Sequence, residues 1–175
     1  MKRIAVLATI SVLAASAAAQ AQPVTVTINM IDISGVGAAA GTLTLEDTPG
    51  GLRITPKLTN LPPGPHGFHV HANASCAAAE QNGQRVAGLA AGGHFDPATT
   101  GKHLGPAGDG HKGDLPVLVV NPDGTATTPV VAPHLKVADV VGHVIVIHAG
   151  GDNYSDQPAP LGGGGARIAC GVVKR

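Results

Sequence analysis

The 175-residue chain lacks an excess of positive charge, since its 11 lysine and arginine residues are balanced by 11 aspartate and glutamate residues. Lys2 and Arg3 lie at the N terminus. Without them the chain carries nine basic and 11 acidic side chains, a net charge of −2 with histidine neutral. A chain without a basic surface is not expected to bind nucleic acid.

The sequence also lacks an apolar run that could cross a bilayer, which takes about 20 residues. The apolar run over residues 4–19 is shorter, follows Lys2 and Arg3, and ends at the small-residue sequence Ala19-Gln20-Ala21. These features are typical of a secretory signal peptide. We therefore expect residues 1–21 to be a signal peptide and residues 22–175 to form one exported domain without a stable membrane span.

Cysteine is scarce, and Cys76 and Cys170, the two in the chain, form no C-x-x-C motif. Disulfides persist in the oxidising environment that an exported chain enters. We expect the two cysteines to pair, and closing so long a loop contributes roughly 4–5 kcal/mol in the chain-entropy model. The alternatives are two buried free thiols or two thiolate metal ligands.

Helical periodicity is absent beyond the signal peptide. Short β-type runs instead alternate with turn-forming sequences such as DTPGG, LPPGP and NPDG. Eight strands are predicted, over residues 24–31, 41–46, 51–58, 66–72, 115–120, 124–131, 143–148 and 166–173. This pattern predicts an all-β sandwich or barrel.

Two segments, residues 73–114 and 149–165, show no strand pattern. A loop of about 40 residues is uncommon in a compact domain and is usually functional or disordered. The first segment contains Cys76 and three histidines, and cross-links through these residues could order it. We expect both segments to be functional loops without strands.

Histidine is abundant, with nine residues, all within residues 22–175. In the sequence HGFHVH, His69 and His71 share one face of a strand because side chains alternate, and such a pair can grip one ion. His66 points to the other face unless Gly67 forms a bulge. We expect His66 either to support a metal ligand from behind or to be structural.

In the sequence HVIVIH the same alternation separates His143 from His148. His148 ends the strand beside the flexible sequence AGGD and is the better candidate for a site at the strand ends. His134 lies beside a proline in a turn and is expected at the surface. A site of three imidazoles, from His69, His71 and His148, would suit copper, which favours nitrogen ligands and can change its oxidation state.

The long loop contains HFDPATTGKHLGPAGDGHKGD, which supplies His94, His103, His111 and Asp114. Three nitrogens and a carboxylate suit tetrahedral zinc, and a zinc ion saturated by four protein ligands is structural rather than hydrolytic. A solvated polar loop is the alternative. A zinc hydrolase is disfavoured, because the glutamates that could act as a base, Glu46 and Glu80, lie away from these motifs.

Six motifs, GPHGFHVHANASC, AGGHFDP, GKHLGP, GHKGDLP, VIHAGGDNYSD and GGGGARIACGVV, occur in this order. In order and spacing they resemble the copper/zinc superoxide dismutases, specifically the exported bacterial branch, over nearly all of residues 22–175. The resemblance implies an eight-stranded Greek-key β-barrel with two long loops, one metal-binding and one electrostatic. It also implies a periplasmic protein, either monomeric or homodimeric.

Carried over residue by residue, the resemblance implies a complete site. Copper would be held by His69, His71, His94 and His148; zinc by His94, His103, His111 and Asp114; Asp152 would orient His69 and His103; Arg167 would be the pocket arginine; and Cys76 would pair with Cys170.

The resemblance implies that one copper and one zinc per subunit convert superoxide to O₂ and H₂O₂ by alternate reduction and oxidation of copper. His94 would bridge the metals and return a proton to the product, and Arg167 would attract and orient the anion. Ala72 and Gln157 stand where bacterial relatives often carry glutamate and lysine. The alternative function is a non-catalytic copper and zinc buffer, against which Arg167 argues, because a buffer has no use for a fixed cation beside the metal.

Overall fold

The computed structural model describes residues 22–175, and the predicted signal peptide, residues 1–21, lies outside the described residues. Within residues 22–175, none of the helices has the length and apolar character needed to cross a membrane. The strands are β1 (Val24–Asp32), β2 (Gly35–Thr48), β3 (Gly51–Leu58), β4 (Gly64–His66), β5 (Phe68–His71), β6 (Ala79–Gln81), β7 (Gln84–Val86), β8 (Leu118–Val120), β9 (Val130–Ala132), β10 (Val144–His148) and β11 (Arg167–Val172). The helical elements are α1 (Val137–Val140) and two 3₁₀ turns, Leu89–Ala91 and Leu161–Gly163.

Seven strands form one antiparallel sheet in the order β5-β10-β11-β1-β2-β3-β9. Two smaller pairs, β4 with β8 and β6 with β7, complete the strand pairing of the described chain. Because β1 pairs with β11, the first and last strands of the domain lie side by side. The predicted all-β fold is confirmed.

The main core lies inside this curled sheet. In β1, Val24, Val26 and Ile28 are buried while the threonines between them are exposed, which is the alternation expected of a strand with one solvated face. Inward side chains of the other strands add Leu43 and Ile54 to the same core. Burying apolar area contributes about 25 cal/mol per Å², so this core is the main stabilising element.

Strand β5 is buried on both faces and separates the core from the histidines. Phe68 and Val70 pack in the main core. His69 and His71, on the opposite face, are also fully buried. The same strand therefore anchors the fold with one set of side chains and presents two imidazoles with the other.

Strand β10 is divided in the same way. Ile145 and Ile147 pack in the main core, whereas Val144 and Val146 belong to a second apolar cluster. His148 continues the face of these two valines, as the alternation predicts. It emerges at the end of the strand, beyond the last residue that pairs with β5.

The predicted disulfide between Cys76 and Cys170 is confirmed. The two Cα atoms are 5.8 Å apart, and the bridge spans 94 residues. The alternative of free thiols is wrong, because neither cysteine is free. Both cysteines pack with Val144 and Val146 in the second cluster, so the bridge fastens the start of the long loop to β11.

The prediction that residues 73–114 contain no strand is wrong, because β6 and β7 form a hairpin there. Its two-residue loop is Asn82-Gly83, with both residues at positive φ, and this is the sequence that a tight hairpin turn prefers. The Asn-Gly pair was therefore a usable signal. The segment 149–165 contains no strand, as predicted.

The predicted count of eight strands is also corrected to 11 in the described chain, since this hairpin adds two and one predicted strand divides. The division falls at Gly67, where residues 66–72 separate into β4 and β5 in different sheets. The predicted strand 124–131 shortens to β9, although Ala126 still forms an isolated bridge with Leu58.

Candidate metal centre

Two overlapping groups of buried side chains bring their ligand atoms within 4.8 Å of one another. The imidazole group is His69, His71, His94 and His148, and the carboxylate group is His69, His94, His103 and Asp114. His69 enters the second group because its ring stacks on that of His94 at a centroid distance of 3.9 Å. His111 lies beside the carboxylate group, with its Nδ1 atom 3.5 Å from Asp114 Oδ1.

The long loop reaches the site by pairing with β5. Isolated β-bridges join His71 to His94 and His69 to Asp114. Residues far apart in sequence are thereby held by backbone hydrogen bonds along one strand. His148 arrives from the other side, where its N–H donates to Gly67 O at 2.8 Å.

In the imidazole group, each of the four rings has one nitrogen paired with an oxygen atom, which for His94 is Asp114 Oδ1, 3.0 Å from Nδ1. His69 Nε2 lies 2.7 Å from Asp152 Oδ2, His71 Nδ1 lies 2.9 Å from Gly92 O, and His148 Nδ1 lies 3.1 Å from Gly165 O. These pairings fix the ring orientations and leave the other nitrogen of each ring facing inward. The inward nitrogens of His71 and His148 are 3.3 Å apart.

Several buried polar atoms in the described chain have no hydrogen-bond partner. They are His69 Nδ1, His94 Nε2, His103 Nδ1, His111 Nδ1 and Asp114 Oδ2. Buried polar atoms are normally satisfied, because an unpaired one costs about 1–3 kcal/mol. All five belong to the residues predicted to bind metals, and His103 Nδ1 and Asp114 Oδ2 approach to 3.0 Å without hydrogen-bond geometry. The residues fit two cations, one among nitrogens alone and one among nitrogens and a carboxylate.

The comparisons with known proteins agree with this chemistry. The family model described as "Copper/zinc superoxide dismutase (SODC)" matches residues 39–173. The chain belongs to the copper/zinc superoxide dismutase family. This confirms the resemblance drawn from the six motifs.

Individual members of the family match most of the chain. "Superoxide dismutase [Cu-Zn] 2" of Salmonella typhimurium is 57% identical, and the match covers 99% of this chain and 100% of the relative. The solved copper/zinc superoxide dismutase from Brucella abortus has a TM-score of 0.86 and 52% identity, covering 87% of this chain and 100% of its own. The structure described as the monomeric enzyme from Salmonella enterica has a TM-score of 0.79 and 58% identity at the same coverage.

The environment of the imidazole group keeps its rings neutral, which is the form of histidine that binds metals. Burial lowers the pKa of His69, and it lowers the pKa of His71 to about 2. It also lowers the pKa of His148 to about 3 and that of His94 to about 4. In a member of this family, such rings are ready to bind a metal at neutral pH without first losing a proton.

Asp152 joins the two groups. Its Oδ2 atom lies 2.7 Å from His69 Nε2 and its Oδ1 atom lies 2.8 Å from His103 Nε2. Burial raises the pKa of Asp152, but the hydrogen bonds with His103 and His69 outweigh burial and lower it. Gly162, at φ +70°, passes so close that a Cβ atom would collide with the Asp152 carboxylate. A glycine is therefore required there.

His103 lies between two carboxylates. Burial lowers its pKa, but the negative carboxylates of Asp114, 3.0 Å from Nδ1, and of Asp152, 2.8 Å from Nε2, outweigh burial and raise the pKa to about 9. In the metal-free protein this ring therefore carries a proton on both nitrogens, and a positive charge, at neutral pH. The same two carboxylates would compensate the charge of a cation that replaced one of these protons.

Arg167 lies across from His148 in the pairing of β10 with β11. Its guanidinium donates from Nη1 to Gly88 O at 2.6 Å and from Nη2 to Gly92 O at 2.7 Å. The Gly92 carbonyl also lies 2.9 Å from His71 Nδ1. The Gly92 carbonyl therefore fixes the position of the Arg167 guanidinium relative to the His71 ring. The positive charge of Arg167 also contributes to lowering the pKa of His71 and of His148.

The other histidines, His66, His134 and His143, lie outside both groups. The ring nitrogens of His66 lie 2.7 Å from the carbonyl oxygens of His148 and Pro62, so this ring braces the end of β10. His143 Nδ1 lies 2.8 Å from Ala72 O, and His134 is exposed.

Sequence reasoning missed Asp156, whose Oδ2 atom accepts the backbone N–H of His103 at 2.9 Å. Its Oδ1 atom accepts the N–H of Leu161 at 3.1 Å. Asp156 thus connects the two long loops through the backbone, while Asp152 connects them through side chains. The sequence did contain a signal for this residue, since a second aspartate follows Asp152 four positions later.

These pKa shifts predict how acidity affects the metal-free protein. His71, His94 and His148 have folded pKa values below the ordinary 6.5, so the unfolded chain binds more protons and stability falls as the pH drops from about 6.5 to about 2. The raised pKa of His103 contributes stability below 6.5 that is lost as the pH rises through about 9. Thermal unfolding at a series of pH values should therefore show a maximal Tm near pH 6.5. A Tm that rises steadily between pH 7 and 9 would contradict the role given to His103.

Proposed function

We propose that the orphaned atoms of the site are metal ligands. Copper would be held by His69, His71, His94 and His148, and zinc by His94, His103, His111 and Asp114. The observation that carries this proposal is the set of five buried atoms without hydrogen-bond partners, all on these residues. His111 is included because its Nδ1 is one of the five and faces the Asp114 carboxylate.

Family membership makes the chain an oxidoreductase of the copper/zinc type that converts two superoxide radicals and two protons to O₂ and H₂O₂. The predicted activity, substrate and cofactors are confirmed at this level. The alternative of a non-catalytic metal buffer has no support. Copper, when bound, supplies the one-electron redox chemistry of this reaction, and the tasks left to the protein are to attract the anion and to handle protons.

Arg167 is the residue that we assign to the anion. Its two donated hydrogen bonds to Gly88 O and Gly92 O fix the guanidinium plane, and it is half-buried beside the imidazole group. A cation held in this way at a partly desolvated site attracts superoxide and orients it with a forked donor face.

His94 is the residue that we assign to the proton. Its Nδ1 atom lies 3.0 Å from Asp114 Oδ1, whereas its Nε2 atom lies on the side of the imidazole group without a hydrogen-bond partner. The ring therefore belongs to both groups. A proton held at Nε2 is placed to be passed to the product.

We also propose that residues 1–21 are a signal peptide, that residues 22–175 form the mature domain, and that the protein acts in the periplasm. The basic, apolar and small-residue pattern supports export. The disulfide supports an oxidising compartment. A monomer and a homodimer both remain within the prediction, and the related Salmonella enterica structure is described as monomeric.

The deciding experiment combines three measurements on protein purified from the cell envelope. Intact mass gives the cleavage site, metal analysis gives copper and zinc per chain, and direct spectroscopic observation of superoxide decay gives activity. We expect cleavage after Ala21, one copper, one zinc and fast decay. One copper and one zinc without activity would instead identify a buffer.

Arg167→Ala should weaken superoxide turnover without abolishing it, by about 10-fold, and make the rate less sensitive to salt, because a steering charge is lost. The measurement is the superoxide decay rate at several ionic strengths. Arg53→Ala is the matched control, since Arg53 is an exposed arginine paired with Glu46 at 3.6 Å. An unchanged rate and salt profile in Arg167→Ala would disprove the steering role.

A further inference from the structure

The short segment that carries two of the proposed zinc ligands, His111 to Asp114, is fastened unequally along its length. At its Asp114 end the backbone is locked to β5 and the loop, because Gly113 N donates to Phe95 O and Gly113 O accepts from Val70 N, both at 2.8 Å. At its His111 end the backbone contact is to another part of the same loop, His111 N to Lys102 O at 2.9 Å.

The end that carries His111 is also the side from which solvent reaches the proposed zinc ligands. His111 is 9% exposed, the largest value of the four proposed zinc ligands, against 7% for His94, 2% for Asp114 and 0% for His103. It lines a surface cleft of about 280 Å³ together with Asp109, Lys112 and His134. Movement of this end would open the carboxylate group to that cleft.

Lys112, the residue after His111, ties this end to the barrel. Its Nζ atom lies 2.9 Å from Asp139 Oδ1, and both side chains are about one-third exposed, at 33% and 31%. The other oxygen of Asp139 accepts the N–H of Lys136 at 2.8 Å. The backbone N–H of Lys136 thus holds the Asp139 carboxylate in the orientation in which it pairs with Lys112.

Helix α1, which carries Asp139, is itself firmly held. Val137 N donates to Asp47 Oδ1 at 2.7 Å, and Lys136 Nζ donates to Thr48 O at 2.9 Å, which attach the helix to the end of β2. Val137 and Val140 are buried in the main core. Asp139 is therefore a fixed point on the barrel.

We propose that the Lys112–Asp139 ion pair is a latch that retains zinc, by holding His111 in place against the fixed helix α1. The two residues are positioning residues, because they act through His111 and do not touch the ion. The inference rests on the proposed zinc ligands. It predicts that the pair controls the rate of zinc loss and leaves copper retention unchanged.

The test measures zinc release from the fully metal-loaded protein to a chromogenic chelator, alongside the copper that stays bound. Lys112→Met should lose zinc about three- to fivefold faster, in line with a partly exposed ion pair, while Lys112→Arg should release zinc at a rate close to that of the unchanged protein. High salt should accelerate release from the unchanged protein more than from Lys112→Met. Arg53→Met, which breaks a more exposed ion pair on β2 and β3, is the matched control.

Equal release rates in Lys112→Met and the unchanged protein, or equal acceleration in Lys112→Met and Arg53→Met, would overturn the latch. Acceleration of copper loss along with zinc loss would also overturn it, since it would indicate general loosening. His111→Ala distinguishes failure of the latch from failure of the zinc assignment. If His111→Ala keeps zinc as long as the unchanged protein does, His111 is not a ligand and the latch has nothing to act on.

Discussion

We expect His148→Ala to reduce superoxide removal to the uncatalysed rate while zinc stays bound. His148 Nε2 faces His71 Nε2 at 3.3 Å, and the ring belongs to the imidazole group but not to the carboxylate group. Removing it leaves three imidazoles for copper and opens a gap beside Arg167. The measurements are superoxide decay and metal content of purified, copper-loaded protein.

His143→Ala is the matched control, because His143 directly precedes the same strand and its ring lies against Ala72 O outside both groups. This variant should keep its activity and both metals. Retained superoxide removal in copper-loaded His148→Ala would disprove the copper assignment. Loss of zinc from His148→Ala would show that the two groups are not separable.

Asp152→Ala should weaken the binding of both metals, by about 10- to 100-fold, the usual cost of removing a carboxylate that orients a ligand. The carboxylate is fully buried and contacts one ring of each group, His69 and His103. Its loss frees both rings to rotate and removes a negative charge that balances the cations. Competition titrations with chelators, carried out for copper and for zinc separately, measure the effect.

Asp123→Ala is the control for Asp152→Ala, since Asp123 is an aspartate whose hydrogen bonds are to Thr125 in a turn. It should leave both affinities unchanged. Weaker binding of one metal only in Asp152→Ala would mean that the carboxylate serves a single ring. A second variant, Asp152→Asn, retains a similar volume and separates the loss of charge from the creation of a cavity.

Much of the site follows from local rules that the sequence displays. The two-residue spacing of His69 and His71 places both on one face of a strand whatever the rest of the chain does. The same rule separates His148 from His143, and the position of His148 at the end of the strand makes it the better candidate. The rule also disfavours His66 as a third ligand from the strand. The burial of β5 and β10 on both faces agrees with these assignments.

The errors in the predicted strands arose where a short sequence motif was given less weight than the absence of a strand pattern in the surrounding segment. The hairpin β6–β7 was missed because its strands are only three residues long, although Asn82-Gly83 marks its turn. The division of one predicted strand at Gly67 depends on which sheet each half joins, and strand alternation carries no information on that. The start of β9, at Val130 rather than at residue 124, likewise depends on which residues of β3 it pairs with.

The sequence by itself determined the fold class and the residue types that could bind copper and zinc, because composition and the spacing within a strand are local properties. The order and spacing of six motifs indicated the family, and the predicted export favoured a disulfide without excluding free thiols. Only the tertiary structure decided which nitrogen of each ring is free, which carbonyl groups hold Arg167, and that Lys112 meets Asp139. These contacts join residues between 17 and 83 positions apart. Their partners are chosen by how the loops return to the barrel, and no local pattern specifies that choice.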